Sequence, residues 1–322
     1  MKKLLYLLFA FTSFVYSQTP ITDANFKTAI NTCLTTNPID GLCSDSEYGA
    51  MPDWDVSNIT SMSMAFKEKT EFNADISSWD VSKVTDMSGM FYYAPAFNQD
   101  LSSWDVSKVN SMSGMFQLAG AFNQDLSSWD VSNVTDMSVM FYSAITFNQD
   151  LRSWNVSNVN IMSGMFVRAN KFNGDISTWD VSNVTDMSGM FQDATAFNQD
   201  LSSWNVSNVN TMSGMFVHAI TFNGDISTWD VSNVTDMGGM FSGAYGDGTM
   251  VFNQDIGNWD VSNVTDMSSM FSSSVAFNQD LSSWDVSRVT RMGGMFQKAT
   301  LFSQDLSSWD VSRVNRMSGM FQ

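Results

Sequence analysis

The sequence predicts an α/β solenoid of stacked coils, and three observations carry that prediction. Tryptophan returns every 25 residues from Trp54 to Trp309, with one gap of 30 between Trp229 and Trp259. The words between the tryptophans barely change: "FNQDLSSWDVSNVTDMSVMF" at 122–141 is rewritten along the whole of 49–322. Within each unit the apolar residues are spaced first by two, then by three and four. A fixed period between about 20 and 50 residues marks a stacked array. It overrides the two-domain prior that a chain of 322 residues would carry.

The first element is not part of that array. Lys2 and Lys3 precede the apolar run "LLYLLFAFTSFV", and Val15 and Ser17 supply small residues for cleavage. Residues 1–17 read as a secretory signal peptide, with Gln18 starting the mature chain. The run is too short to span a bilayer, which takes about 20 residues. Residues 18–48 read as an N-terminal cap. Phe26, Ile30, Cys33 and Leu34 in "ITDANFKTAINTCLTTNPIDG" fall on one helical face, with Thr22 or Asp23 as N-cap and Asn37–Pro38 as the stop. Cys33 and Cys43 are the only cysteines, and an even, close pair in an exported chain is expected to form a disulfide.

The repeat follows, numbered here from its first phenylalanine, so that Phe172–Ala196 is one unit. Trp and Val at positions 8 and 10 flank one polar residue and share a face of a short strand. Position 14 is Thr or Asn in every unit, the residues favoured at helix N-caps. Met187, Met190, Phe191 and Ala194 then run i, i+3, i+4, i+7, which predicts a two-turn helix. In Phe122–Phe141, Thr135 would start that helix and Asp136 would supply its first-turn charge. Helices this short are unstable alone. Stacking the units would bury Trp, Val, Met and Phe as columns. The expected product is eleven coils of parallel strand plus helix, roughly 50 Å long at strand spacing.

The strand words L-x-x-W-x-V have the cadence of a leucine-rich repeat with Trp in place of one Leu. Together with "FNQDLSSWDVSNVTDMSVMF", the array resembles the BspA-like bacterial surface proteins, whose repeats run to 25–26 residues. The resemblance implies a right-handed, leucine-rich-repeat-like solenoid, secreted or held at the bacterial cell surface. It also implies adhesion to a host or environmental protein or glycan.

Composition narrows the function classes. A net charge of −18 with only 15 Lys and Arg argues against nucleic acid and anionic membrane, both of which need a basic face. An enzyme is not indicated. The carboxylates repeat uniformly where catalysis needs one differentiated pocket, and the only histidine, His218, sits at a variable position and reads as an exposed side chain.

Two acidic columns are the candidate contacts. Position 4 is always Asp in the complete units, read as a turn cap. Position 9 carries Asp80, Asp105, Asp130, Asp180, Asp230, Asp260, Asp285 and Asp310, with Asn155 and Asn205 in two coils. Flanked by core residues, these side chains must face outward as a ladder. At roughly 4.8 Å per strand, neighbouring charges would repel by about 0.9 kcal/mol in water. Hydrogen bonds, or cations such as calcium, must offset that; the plainer expectation is a solvated face. A second candidate is the five-residue insertion around Tyr245, Gly246, Asp247 and Gly248, expected to protrude as a contact loop. Positions 21–25 vary freely between units, and Arg288, Arg291, Arg313 and Arg316 lighten the acidity of the last coils. The leading expectation is a non-catalytic, monomeric adhesion or binding module. The alternatives are a spacer or stalk displaying a further C-terminal domain, and a calcium-, ice- or mineral-binding face.

Overall fold

A computed structural model describes residues 18–243 and 250–322. The signal-peptide segment 1–17 and the insertion residues Tyr245–Gly248 lie outside the described residues.

Helix α1, Phe26–Thr36, opens the described chain. It buries Phe26, Ala29, Ile30, Cys33 and Leu34 in the same core as the first coils. Phe26 lies 5.8 Å from the ring of Trp79. The N-cap is Asn25 rather than Thr22 or Asp23, and it makes no side-chain cap bond. Asn25 Oδ1 instead accepts from the Thr22 N–H, and Asp23 has another use. Its carboxylate takes the Thr60 N–H at 2.8 Å and the Thr60 hydroxyl at 2.7 Å. In later coils the same N–H goes to the preceding coil, as when Thr85 donates to the Thr60 carbonyl. Asp23 thus stands in for the coil that is missing before the first. Cys33 and Cys43 are joined by a disulfide with Cα atoms 5.3 Å apart, both buried in this core.

The units stack as coils around one continuous core. Parallel bridges link position 15 of each unit to the next, from Ser61 and Asp86 through to Arg291 and Arg316. Trp, both Val, both Met and both Phe form buried columns, as their spacing requires. The position-20 phenylalanine stacks on the phenylalanine that opens the next unit, as Phe91 on Phe97 at 3.9 Å. The Phe91 column continues at 5.5 Å to Phe116 and 5.7 Å to Phe141. Trp154, Trp179 and Trp204 stack at 6.3 Å with planes within 5°. Met fills the gaps beside these rings, where its sulfur is favoured.

The regular elements predicted inside the coil do not form. Among the described residues the repeats contain no strand and no α-helix, only bridges, turns and one 3-10 turn of helix at Met51–Asp53. The coil Phe172–Ala196 shows why. A helix needs each N–H to reach the carbonyl four residues back. Here Met187, Gly189, Phe191 and Asp193 send their N–H groups forward to Thr211, Ser213, Met215 and Val217 of the next coil, at 2.7–3.1 Å. The intervening Met190, Gln192 and Ala194 close tight turns onto the carbonyl three residues back. Positions 18 and 22 are left-handed, with φ of 60° at Gly189 and 57° at Asp193. A left-handed third residue is what a type II turn demands. One turn every four residues gives nearly the same apolar spacing as a helix. Thr185 is therefore no N-cap: its N–H goes to Asn160 of the preceding coil at 2.9 Å. Asp136 is no helix charge: it accepts the Ser138 N–H at 2.8 Å, closing a local turn.

Side chains complete the stacking. Trp179 donates its indole N–H to the Leu151 carbonyl of the preceding coil at 2.9 Å, inside the core. Asn173 N–H is received by Asn148 Oδ1 at 2.8 Å, one step of an asparagine ladder that runs from Asn73 to Asn278. Thr178 Oγ1 and Asn183 Nδ2 also donate to carbonyls of the coil before, at 2.7 Å each.

Three variants test this architecture. Gly189→Ala has room for the methyl group, with Gln192 Oε1 3.5 Å away, but forces a left-handed alanine. It should lower stability by about 1 kcal/mol. Gly120→Ala, with no positive φ and Ile145 3.8 Å away, should leave the urea midpoint unchanged or raise it slightly. Cys43→Ser should cost about 2–3 kcal/mol and move the first cut in limited proteolysis into 37–48; an unchanged digest would mean the bond does not clamp that segment.

Candidate interaction surface

The position-9 carboxylates do face solvent, as their flanking core residues require. They do not form the free ladder that paired strands would have built. Each turns back on its own coil and accepts the N–H of the serine two residues on: Asp80 from Ser82, Asp105 from Ser107, Asp130 from Ser132 and Asp180 from Ser182, at 3.0–3.1 Å. Asp230, Asp260, Asp285 and Asp310 repeat the bond with Ser232, Ser262, Ser287 and Ser312. Position 4 does the same, as with Asp175 and Ser177 at 2.9 Å. Asp at position 15 also accepts the N–H two residues on, from Ser188 at Asp186 at 2.8 Å and from Gly238 at Asp236 at 2.9 Å. Each coil is therefore bent at up to three carboxylate turns of the kind Asp and Asn favour. Among the described residues no group of three or more His, Cys, Asp or Glu is placed to hold a metal ion.

At several of these turns the bonds favour the ionised carboxylate. The serine hydroxyl and then the serine N–H hold Asp80, Asp105, Asp180 and Asp230 below the usual carboxylate range. For Asp285 and Asp310 the N–H acts first and the hydroxyl second. Repulsion between neighbouring rungs opposes this shift only weakly, as Asp80 does at Asp105.

His218 is not the free side chain its variable position suggested. It is half-buried, and its Nδ1 lies 2.9 Å from Asp193 Oδ1 in the preceding coil. Arg168, one coil earlier, approaches the other oxygen of Asp193 at 3.5 Å. Arg291 is likewise engaged, at 2.6 Å from Asp266.

The concavity that the sequence did not reveal lies on the face carrying positions 15, 17, 18 and 21. A groove of about 360 Å³ crosses four coils there. Gly89 and Gly114, both left-handed, form its floor because position 18 carries no side chain in those coils. Met64 and Val139 are the residues at position 18 that bound it. Met64 Sδ would lie 2.4 Å from a methyl group placed on Gly89, and Val139 Cγ2 3.7 Å from one on Gly114. One wall is Lys67, Tyr92 and Gln117 at position 21, with Lys67 Nζ 5.5 Å over the Tyr92 ring. The other is Ser88, Ser111, Ser113 and Asp136. The sequence signal was the exchange of Gly for Met64 and Val139 at position 18, which has meaning only once that position is known to be an open turn.

Fold and surface together define a repeat protein whose coils are turns bonded to one another and whose outer positions are polar. Its family model matches over 43–154, 136–247 and 246–322. The chain belongs to that family, described as "Mycoplasma protein of unknown function, DUF285". No curated protein matches. Three solved chains match, among them one in the crystal structure of a TLR13–ssRNA13 complex, at 10% identity and a TM-score of 0.20. That match covers 81% of this chain and 47% of the other, so the chain spans about half that protein's length. Among the described residues no helix is long and apolar enough to cross a membrane.

The carboxylate turns generate a pH prediction with a definite sign. A carboxylate held below its ordinary value contributes stability that is present above about pH 3.9, the unfolded value, and is lost as pH falls through the lowered folded value. The melting temperature should therefore hold from pH 7 to about pH 5 and fall below pH 4. Asp180→Asn keeps the acceptor, as Asn155 does for Ser157 at 3.2 Å, and should be tolerated at pH 7. Asp180→Ala removes it and should cost about 1 kcal/mol.

Proposed function

We propose that this chain is a non-catalytic interaction module that acts outside the cell, secreted or at the surface, by adhering to protein or glycan. One observation carries the proposal: the near-constant part of each unit is consumed by the core and by bonds between coils, and most of what varies lies outward, as at Tyr93, Ile145 and Arg168. Positions 21–25 read "YYAPA", "QLAGA", "YSAIT", "VRANK", "QDATA" and "VHAIT" in successive units from Tyr92 to Thr221, on a backbone that does not change. Such a chain holds different side chains at fixed intervals along a rigid surface, and many weak contacts can sum to useful avidity. The likeness to BspA-like repeats and the leucine-rich-repeat cadence support the same reading.

The test uses residues 18–322, immobilised and probed with a panel of extracellular matrix proteins and glycans. Saturable binding, weakened when Tyr93, Arg168 and His218 are changed to Ala together, supports the module. Absence of any saturable ligand across the panel would overturn it in favour of a spacer that only displays what is attached to it.

A further inference from the structure

Three features of the groove bounded by Met64 and Val139 bear on what it could hold. It has depth, because the two floor residues are glycines between two larger side chains. Its about 360 Å³ falls in the range of small-ligand sites. It also joins apolar surface (Met64, Val139, the Tyr92 ring) to polar groups of both kinds.

The hydrogen-bonding state of the walls limits what can sit there. Ser88 spends its hydroxyl proton on Asp86 at 2.6 Å, so the Ser111 hydroxyl donates to Ser88 at 2.8 Å and keeps lone pairs to accept with. Asp136 uses one oxygen for the Ser138 N–H and has the other for a ligand hydroxyl. Gln117 offers both a donor and an acceptor in one amide. Lys67 is the only cation in the lining, set against Asp136 and a chain of net charge −18. An anionic ligand is disfavoured by that field. A peptide added as a strand needs free backbone donors and acceptors, and here they are taken. Met87, Gly89 and Phe91 already donate to Ser111, Ser113 and Met115, and Met112, Gly114 and Phe116 to Asp136, Ser138 and Met140.

We propose that this groove binds a neutral oligosaccharide, its hydroxyls meeting Ser111, Gln117 and Asp136 and its apolar ring face lying against Tyr92 and Val139. This rests on the chain being an interaction module and names the ligand class for one site on it.

The experiment applies residues 18–322 to an array of neutral and anionic oligosaccharides and measures affinity for the retained sugars. Neutral glycans should be retained and anionic ones not. Tyr92→Ala and Gln117→Ala should each weaken binding tenfold or more. Gln192→Ala, at the same repeat position outside the groove, should leave it unchanged. Thermal melts confirm that all three variants fold. Val139→Gly, which opens the groove toward Gly164, should shift preference to longer chains. Equal retention by Tyr92→Ala and the parent overturns the site, and so does the absence of any retained neutral sugar. If matrix proteins still bind in that case, the interaction module stands and only the sugar assignment falls.

Discussion

Every coil depends on the bonds it makes to the coils on either side. The backbone of a turn-built coil cannot satisfy itself, because tight turns leave alternate N–H groups pointing along the stacking axis. Those of Met187, Gly189, Phe191 and Asp193 are received by the next coil, while Asn173, Thr185 and the Trp179 indole reach back to the one before. Unpaired buried polar groups are costly, so the period cannot drift: an offset of one residue would put donors opposite Met212, Gly214 and Phe216, whose carbonyls already close turns within their own coil. The five extra residues between Trp229 and Trp259 show where slack is allowed. Gly243 still donates to Ser272 on one side, and Thr265 resumes its bond to Thr235 on the other.

Stacking identical units also stacks identical charges, and the chain answers this in two ways. Most carboxylates are folded back onto serine N–H groups within their own coil. Where the column is half-buried, at position 15, the charge is diluted: Asp86, Asp136, Asp186 and Asp236 alternate with Ser111, Ile161 and Thr211 along the bridges. The alternation lapses once, where Asp266 follows Asp236, and there the next residue in the column is Arg291, 2.6 Å from Asp266. The arginines that lighten the last coils are in part the answer to this local need.

The period, the buried columns and the outward position 9 could all be read from residues, because burial depends on spacing and spacing survives any backbone that keeps it. Met187, Met190, Phe191 and Ala194 fall on one face whether the chain turns as a helix or as consecutive tight turns. The secondary structure could not be read that way. The discriminating sign was glycine in the middle of the supposed helix, as at Gly189, where a helix would lose about 1 kcal/mol per unit relative to alanine and a left-handed turn loses nothing. The helix N-cap was misplaced for a related reason: Asp23 is drawn off by Thr60, a contact 37 residues away in sequence. The carboxylates looked like a candidate site because their commitment to Ser N–H groups is invisible until the turn around each one is known.

That commitment changes where recognition can occur. A surface whose acidic groups, backbone and serines already satisfy one another offers little to a partner, however polar it appears. Affinity must come from places where the repeat is broken and groups are left with capacity to spare. Along the column at position 18 glycine gives way to Met64, Val139 and Ser269, and the first two enclose a short length of otherwise open trough. Uniformity builds the rod, and the departures from it determine where the rod can bind.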